Sequence, residues 1–182
     1  TRVSMTPEAV AYREFDAASG EWKGYSWADT ARMAGRVRAG LAAEGLSAGD
    51  RVAIMLRNCK EWVWFDQGAA AQGLVTVPVF ADDRPDNIAY CLNDAGVKLL
   101  FAEGEEHLKR LAEVRSRMPA VTRIVTVKPA ASPGDAAVRP LLVPLLHAAG
   151  AAARRQSPDS SADSAAGPTP ERGPAAPRTR TA

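Results

Sequence analysis

The chain has no aromatic residue after Phe101, no isoleucine after Ile124 and no lysine after Lys128, while nine of its thirteen prolines lie from Pro129 onward. These absences exclude a conventional core from the last third of the sequence, because the bulky apolar side chains that would fill it are missing. The chain is also poor in cysteine. Cys59 and Cys91 are too far apart for a CxxC pair. Both sit in apolar helical patterns, so they read as buried, reduced thiols of a cytoplasmic protein rather than a disulfide or a metal site. No apolar run approaches the about 20 residues that span a bilayer, and no signal-peptide pattern opens the chain at Thr1. Charge of one sign is lacking as well. The tail from Pro129 holds six Arg against four acids, which leaves the first 128 residues balanced. A neutral domain offers no electrostatic reason to bind nucleic acid or an anionic membrane.

What is present divides the chain into a globular part, 1–128, and an Ala/Pro/Arg-rich part, 129–182. Val10 to Phe15 alternates, meets the turn signal Ala18-Ser19-Gly20 and resumes at Trp22 to Tyr25, a hairpin at a sheet edge. Ser26 and Asp29 have the spacing of a capping box. The helix that follows turns Trp27, Ala31, Ala34, Val37 and Leu41 to one face, and Gly45 suits its exit. Arg51 to Leu56 is a continuous apolar run, the mark of a strand buried on both faces. Asn58 is placed to cap the next helix, which carries Trp62, Phe65 and Ala69 and ends near Gly73. Leu74 to Val79 is a strand. Pro85 and Asp86 suit the first turn of a helix whose stripe is Ile88, Ala89, Leu92 and Ala95. Val97 to Phe101 is a strand, Glu105 to Arg117 a helix and Thr122 to Val127 a strand. After Lys128 no period survives, which reads as disorder or as an out-of-frame continuation. The alternation predicts an α/β fold, a mostly parallel sheet with helices on both faces.

Candidate sites are few. Gly35 and Gly40 have the gap of a phosphate-binding loop, but Leu41-Ala42 replaces the required Lys-Ser/Thr and the segment is mid-helix. Asp82, Asp83 and Asp86 suggest a metal less than they suggest acids at the positive end of a helix dipole. His107 reads as solvent-facing, and His147 lies in the tail. Neither has a nucleophile or ligand at useful spacing. Trp62 and Phe65 read as core, and Trp64 as a partner surface. The tail arginines, among them Arg154, Arg155, Arg178 and Arg180, read as solvated rather than nucleic-acid-binding because acids are interspersed. No catalytic, cofactor-binding or metal-ligating residue is assigned.

Three stretches carry a resemblance: YSWADTARMAGRVRAGLAAEGLSAGDRVAIMLRN (25–58), EWVWFDQGAAAQGLVTVPVF (61–80) and IAYCLNDAGVKLLFAE (88–103). The series Gly40-Leu41, Gly45-Leu46, Gly49-Asp50-Arg51-Val52-Ala53-Ile54 and Asn58, followed by Gly73 and Val77-Pro78, resembles the adenylate-forming (AMP-binding) superfamily. The likeness is to the N-terminal part of long-chain fatty acid–CoA ligases. The stretch FADDRPD departs from that pattern, where relatives carry Thr and Ser. The resemblance implies ATP- and magnesium-dependent activation of a fatty acid to an acyl-adenylate, then transfer to coenzyme A. It also implies that this region is scaffold. The Thr/Ser/Gly-rich loop ending in Pro-Lys-Gly, the ribose-binding acid and the lysine of the small C-terminal domain are not in this sequence, so the chain alone is expected to be inactive. The alternative is a non-catalytic fragment that docks on a full-length ligase through a sheet edge left open by the missing strands.

Overall fold

The computed structural model describes residues 1–128 and the backbone of residues 138–140. A short helix, α1 (Arg2–Met5), precedes the hairpin of β1 (Val10–Asp16) and β2 (Glu21–Ser26). The hairpin closes because the Asp16 carboxylate accepts the Ala18 N–H at 3.0 Å. It is a separate two-stranded antiparallel sheet rather than the edge of the main one. Ser26 caps α2 (Trp27–Ala43) as expected: its Oγ accepts the Asp29 N–H at 3.0 Å and its own N–H donates to Asp29 Oδ2 at 3.2 Å. Gly45 and Gly49 stand at φ 75° and 88°, a left-handed region open to them because they lack a Cβ.

There follow β3 (Arg51–Met55), α3 (Lys60–Ala71), β4 (Val75–Pro78), α4 (Pro85–Asp94), β5 (Val97–Ala102), α5 (Glu105–Ala112) and β6 (Arg123–Thr126). The strand β7 (Val138–Pro140) pairs with β6, where the sequence pattern had been expected to stop at Lys128. The sheet order is β4-β3-β5-β6-β7, with every pairing parallel.

The side-chain alternation of each strand feeds two cores. Ala53, Met55, Leu100, Ala102 and Ile124 face α4 and α5. Val52, Ile54, Leu99 and Phe101 face α2 and α3, where they meet Val37, Leu41, Phe65 and Ala69. Both faces are covered, so the strands read as unbroken apolar runs. From β3 the chain crosses through α3 to β4 on one side. From β4 it returns through α4, past β3, to β5 on the other. The two crossovers run in opposite directions and lie on opposite faces, as a constant hand of connection demands.

Four local expectations are corrected. Asn58 does not cap α3: the N-cap is Cys59, with no side-chain cap bond, because the helix starts one residue later than the Asn spacing requires. The helix expected to reach Arg117 ends at Ala112 and gives way to a 3-10 turn at Arg115–Arg117. The turn lets Val114 and Met118 both reach the core. The Arg115 guanidinium holds it by donating to the carbonyls of Met118 (3.0 Å) and Val121 (2.9 Å). Cys91 is exposed rather than buried, because Ile88, Ala89 and Leu92 take the inward stripe of α4. Trp64 is not free surface: α2 and the hairpin both cover α3, so its apolar arc is wide enough to pack Trp62 and Trp64 together against the core.

One buried polar group lacks a partner. Thr126 is fully buried, and its hydroxyl has no hydrogen bond among the described residues. An orphaned buried hydroxyl is a cost that an isosteric methyl removes. Thr126→Val is therefore expected to stabilise the fold by about 1 kcal/mol, read as a rise in thermal midpoint. A fall would mean that the hydroxyl has a partner.

Candidate functional site

The direction of the chain reverses between β3 and β5. The helix after β3 leaves to one face and the helix after β5 to the other, which opens a crevice at the carboxyl ends of the strands. The turn Leu56–Cys59, Glu103 after β5, and Val127 and Lys128 after β6 meet there. Together with Glu14, Lys60 and Glu61 they line a recess of about 210 Å³. The hairpin lies over the crevice and is tied down by Lys60, whose ammonium donates to Glu14 at 2.8 Å and pairs with Glu61 at 2.9 Å. The same Nζ sits 5.6 Å from the Tyr25 ring and 5.9 Å from that of Trp64, which themselves meet edge-on at 5.7 Å. Burial of the Lys60 ammonium opposes its charge, but the hydrogen bonds to Glu14 and Glu61 outweigh burial and hold its pKa well above the ordinary lysine value. Glu103 is held below the usual carboxylate range, chiefly by its hydrogen bond from Lys128, with Arg57 at 3.4 Å adding to the attraction. Burial pushes the Cys59 thiol up, so it stays protonated and poorly nucleophilic at neutral pH.

A larger cleft adjoins this recess and shares Glu14, Arg57, Cys59 and Lys60 with it. It encloses about 520 Å³ between the hairpin and the start of α3.

The residues singled out by sequence lie elsewhere. Gly35 and Gly40 are inside α2. Asp83 Oδ1 accepts from the Arg84 N–H at 2.7 Å and from Asn87 Nδ2 at 3.0 Å. Asp86, in the first turn of α4, pairs with Arg117. The FADDRPD loop is clamped by Arg110, which donates to the carbonyls of Ala81 (2.6 Å) and Asp83. No three His, Cys, Asp or Glu side chains gather as a metal site among the described residues. His107 is half-buried on α5. His147 and the arginines at 154, 155, 178 and 180 lie outside the described residues. Sequence reasoning missed the crevice itself. Its only local signal was the charged, polar run Arg57-Asn58-Cys59-Lys60-Glu61 directly after a buried strand.

These residues do not fit a magnesium–triphosphate. The turns after β3, β4 and β5 offer no run of Gly, Ser or Thr amides to wrap phosphates, and Glu14, Glu61 and Glu103 are each already matched by a cation.

Residues 1–166 match the profile of the AMP-binding enzyme family. The long-chain-fatty-acid–CoA ligase FadD15 of Mycobacterium tuberculosis is 30% identical over 121 residues, 66% of this chain and 20% of that protein. An uncharacterized protein of the same organism is 33% identical over 99 residues, 54% of each chain. Among solved structures, an acyl-CoA synthetase from Brucella canis superposes with a TM-score of 0.59 at 29% identity, covering 71% of this chain and 22% of that one. A fatty acyl CoA synthetase from Mycobacterium tuberculosis superposes with a TM-score of 0.60 at 25% identity, covering 71% and 25%. The chain thus spans about a fifth of the length of the FadD15 ligase it matches.

Proposed function

Because the chain belongs to the AMP-binding enzyme family, we propose that it is the N-terminal scaffolding part of a long-chain fatty acid–CoA ligase. The observation that carries this reading is the 121-residue match to FadD15, long enough to take in most of the parallel sheet and the helices that cover it. On this reading the complete enzyme activates a fatty acid with ATP and magnesium and passes the acyl group to coenzyme A. Residues 1–128 supply a rigid α/β layer rather than reacting groups. The location is cytoplasmic, in keeping with two free cysteines. No helix among the described residues is long and apolar enough to cross a membrane.

The test is a chimera in which the matched segment of FadD15 is replaced by residues of this chain. Misplacing reacting groups by about 1 Å costs about a hundredfold. A faithful scaffold is therefore expected to leave palmitate-dependent pyrophosphate release within about tenfold of the parent enzyme. This chain alone should release none above background. An inert but folded chimera, or clear turnover by the isolated chain, would sink the reading.

A second reading has its own support. Among the described residues the strand β4 pairs on one side only, and Val75 and Phe80 beside it are 49% and 86% exposed. An open apolar edge is a pairing surface, so the chain would dock on a full-length ligase through β4. Co-purification of a separate chain bearing the Thr/Ser/Gly-rich loop distinguishes this reading from the first.

A further inference from the structure

The hairpin is apolar on both of its faces, and among the described residues only one of them is covered. Cross-strand partners share a face, so Tyr12, Glu14 and Tyr25 point inward, toward α2 and Lys60, while Arg13, Phe15, Trp22 and Gly24 belong to the outer face. Tyr12 packs edge-on against Trp27 and Tyr25 against Trp64, which anchors the inner face. On the outer face Phe15 and Trp22 stand edge-to-face at 5.6 Å. The Val10 side chain completes the strip, lying 3.5 Å from where a Cβ on Gly24 would stand. Val10, Phe15 and Trp22 are 53%, 51% and 66% exposed. An antiparallel pair with one face in water alternates apolar and polar residues. Apolar side chains on both faces are instead the pattern of strands covered on both sides. A two-stranded sheet is also marginal without further strands or a second packed layer. Arg13, in the same strip, has no ion pair or hydrogen bond among the described residues.

We propose that the outer face of the hairpin is the seam against which the remainder of the parent ligase packs, with an apolar surface on Val10, Phe15 and Trp22 and a hydrogen-bond acceptor opposite Arg13. Length names the occupant: the chain spans about a fifth of FadD15, so most of such an enzyme lies outside it. Aromatic side chains and arginine are also the residues that dominate the centres of protein interfaces. A second copy suits the strip less well. Arg13 is its one charge, so two such faces brought together would set cation against cation with no acid between them. The inference rests on the proposed scaffold role and adds which surface meets the rest of the enzyme.

Hydroxyl-radical labelling read by mass spectrometry would compare the full chain with the FadD15 chimera described above. Phe15 and Trp22 should label at least severalfold more slowly in the chimera, because an interface core is dry. Tyr12 and Tyr25, on the inner face, should label alike in both. Arg13→Glu should leave the melting of the full chain unchanged, since the side chain is exposed and has no partner there to lose. In the chimera the reversed charge would sit in a covered seam and should lower the thermal midpoint by about 5 °C. A chimera that turns over yet labels Phe15 and Trp22 as fast as the full chain does would overturn the seam and leave the scaffold role standing. A folded, inert chimera with both residues protected would end the scaffold role and uphold the seam. The seam would also be overturned by a chimera that does not fold, or by an Arg13→Glu chimera as stable as its parent. Protection that appears in the full chain alone as its concentration rises would overturn it in favour of a second copy.

Discussion

Gly68→Ala is expected to lower stability by about 1–3 kcal/mol, against a helix-propensity gain of about 1 kcal/mol at an ordinary site. Gly68 lies inside α3 where that helix presses on α2. A Cβ there would fall 2.6 Å from Val37 Cγ1, 2.7 Å from Val37 Cβ and 2.9 Å from the Ala34 carbonyl oxygen. These are not the tips of mobile side chains, so the helices must separate. Separation strips contact from Val37, Leu41, Phe65 and Ala69 together. In thermal melts the loss should appear as roughly 4 °C for each kcal/mol. A double-mutant cycle with Val37→Ala makes the reasoning specific. The smaller neighbour opens room for the methyl, so the pair should cost less than the sum of its members. Strict additivity, or a Gly68→Ala protein as stable as the parent, would show that the helices are not in this close approach.

Lys60→Ala should release the hairpin. The ammonium is the shared cation of Glu14 and Glu61, and its side chain is 26% exposed, so solvent screens the pairs only in part. Removing it strands two partly buried carboxylates and uncovers the rings of Tyr25 and Trp64. The expected cost is about 1–2 kcal/mol, below the about 3–5 kcal/mol of a fully buried pair because of that exposure. It should be concentrated in faster amide exchange and proteolysis of residues 10–26, with the main sheet unchanged. Glu14→Gln in the Lys60→Ala background should recover part of the loss, since a neutral amide needs no cation. Global unfolding with no selective change in the hairpin would contradict this account. The pH dependence has a definite sign. Lys60 has a folded pKa above its unfolded value, so its contribution is complete below the unfolded pKa near about 10.4 and is lost as pH rises through the folded one. The hairpin should therefore loosen at strongly alkaline pH, while neutral and mildly acidic solutions leave this interaction intact.

Much of the fold was legible in the residues. The Ser26/Asp29 capping box, the left-handed Gly45 and Gly49, and Pro85 at the first helical position are local devices, and local geometry settles them. The buried strands were legible for a different reason: Val52, Ala53, Ile54 and Met55 are apolar in succession only because opposite faces meet two separate cores. The misread features depend on neighbours distant in sequence. Trp64 resembled a partner surface until the hairpin was folded over it, and Cys91 resembled core until its helix was docked with Cys91 outward. Gly68 carried no signal at all, because a glycine in a helix looks like a propensity defect until the facing helix is in place.

The candidate site was less legible still. Glu14 and Lys60 are 46 residues apart, and Arg57, Glu103 and Lys128 come from the ends of three different strands. No spacing rule joins them. The sequence by itself determined the order of strands and helices from β1 to β6, the family, and a charge balance that disfavours nucleic acid, because these follow from short-range periodicity, turn chemistry and composition. Only the tertiary structure decided where the connection reverses direction, and therefore where the crevice opens, which cations are already spent on carboxylates and which remain available. Those outcomes depend on which face of the sheet each crossover covers, a long-range choice that no local window of residues contains.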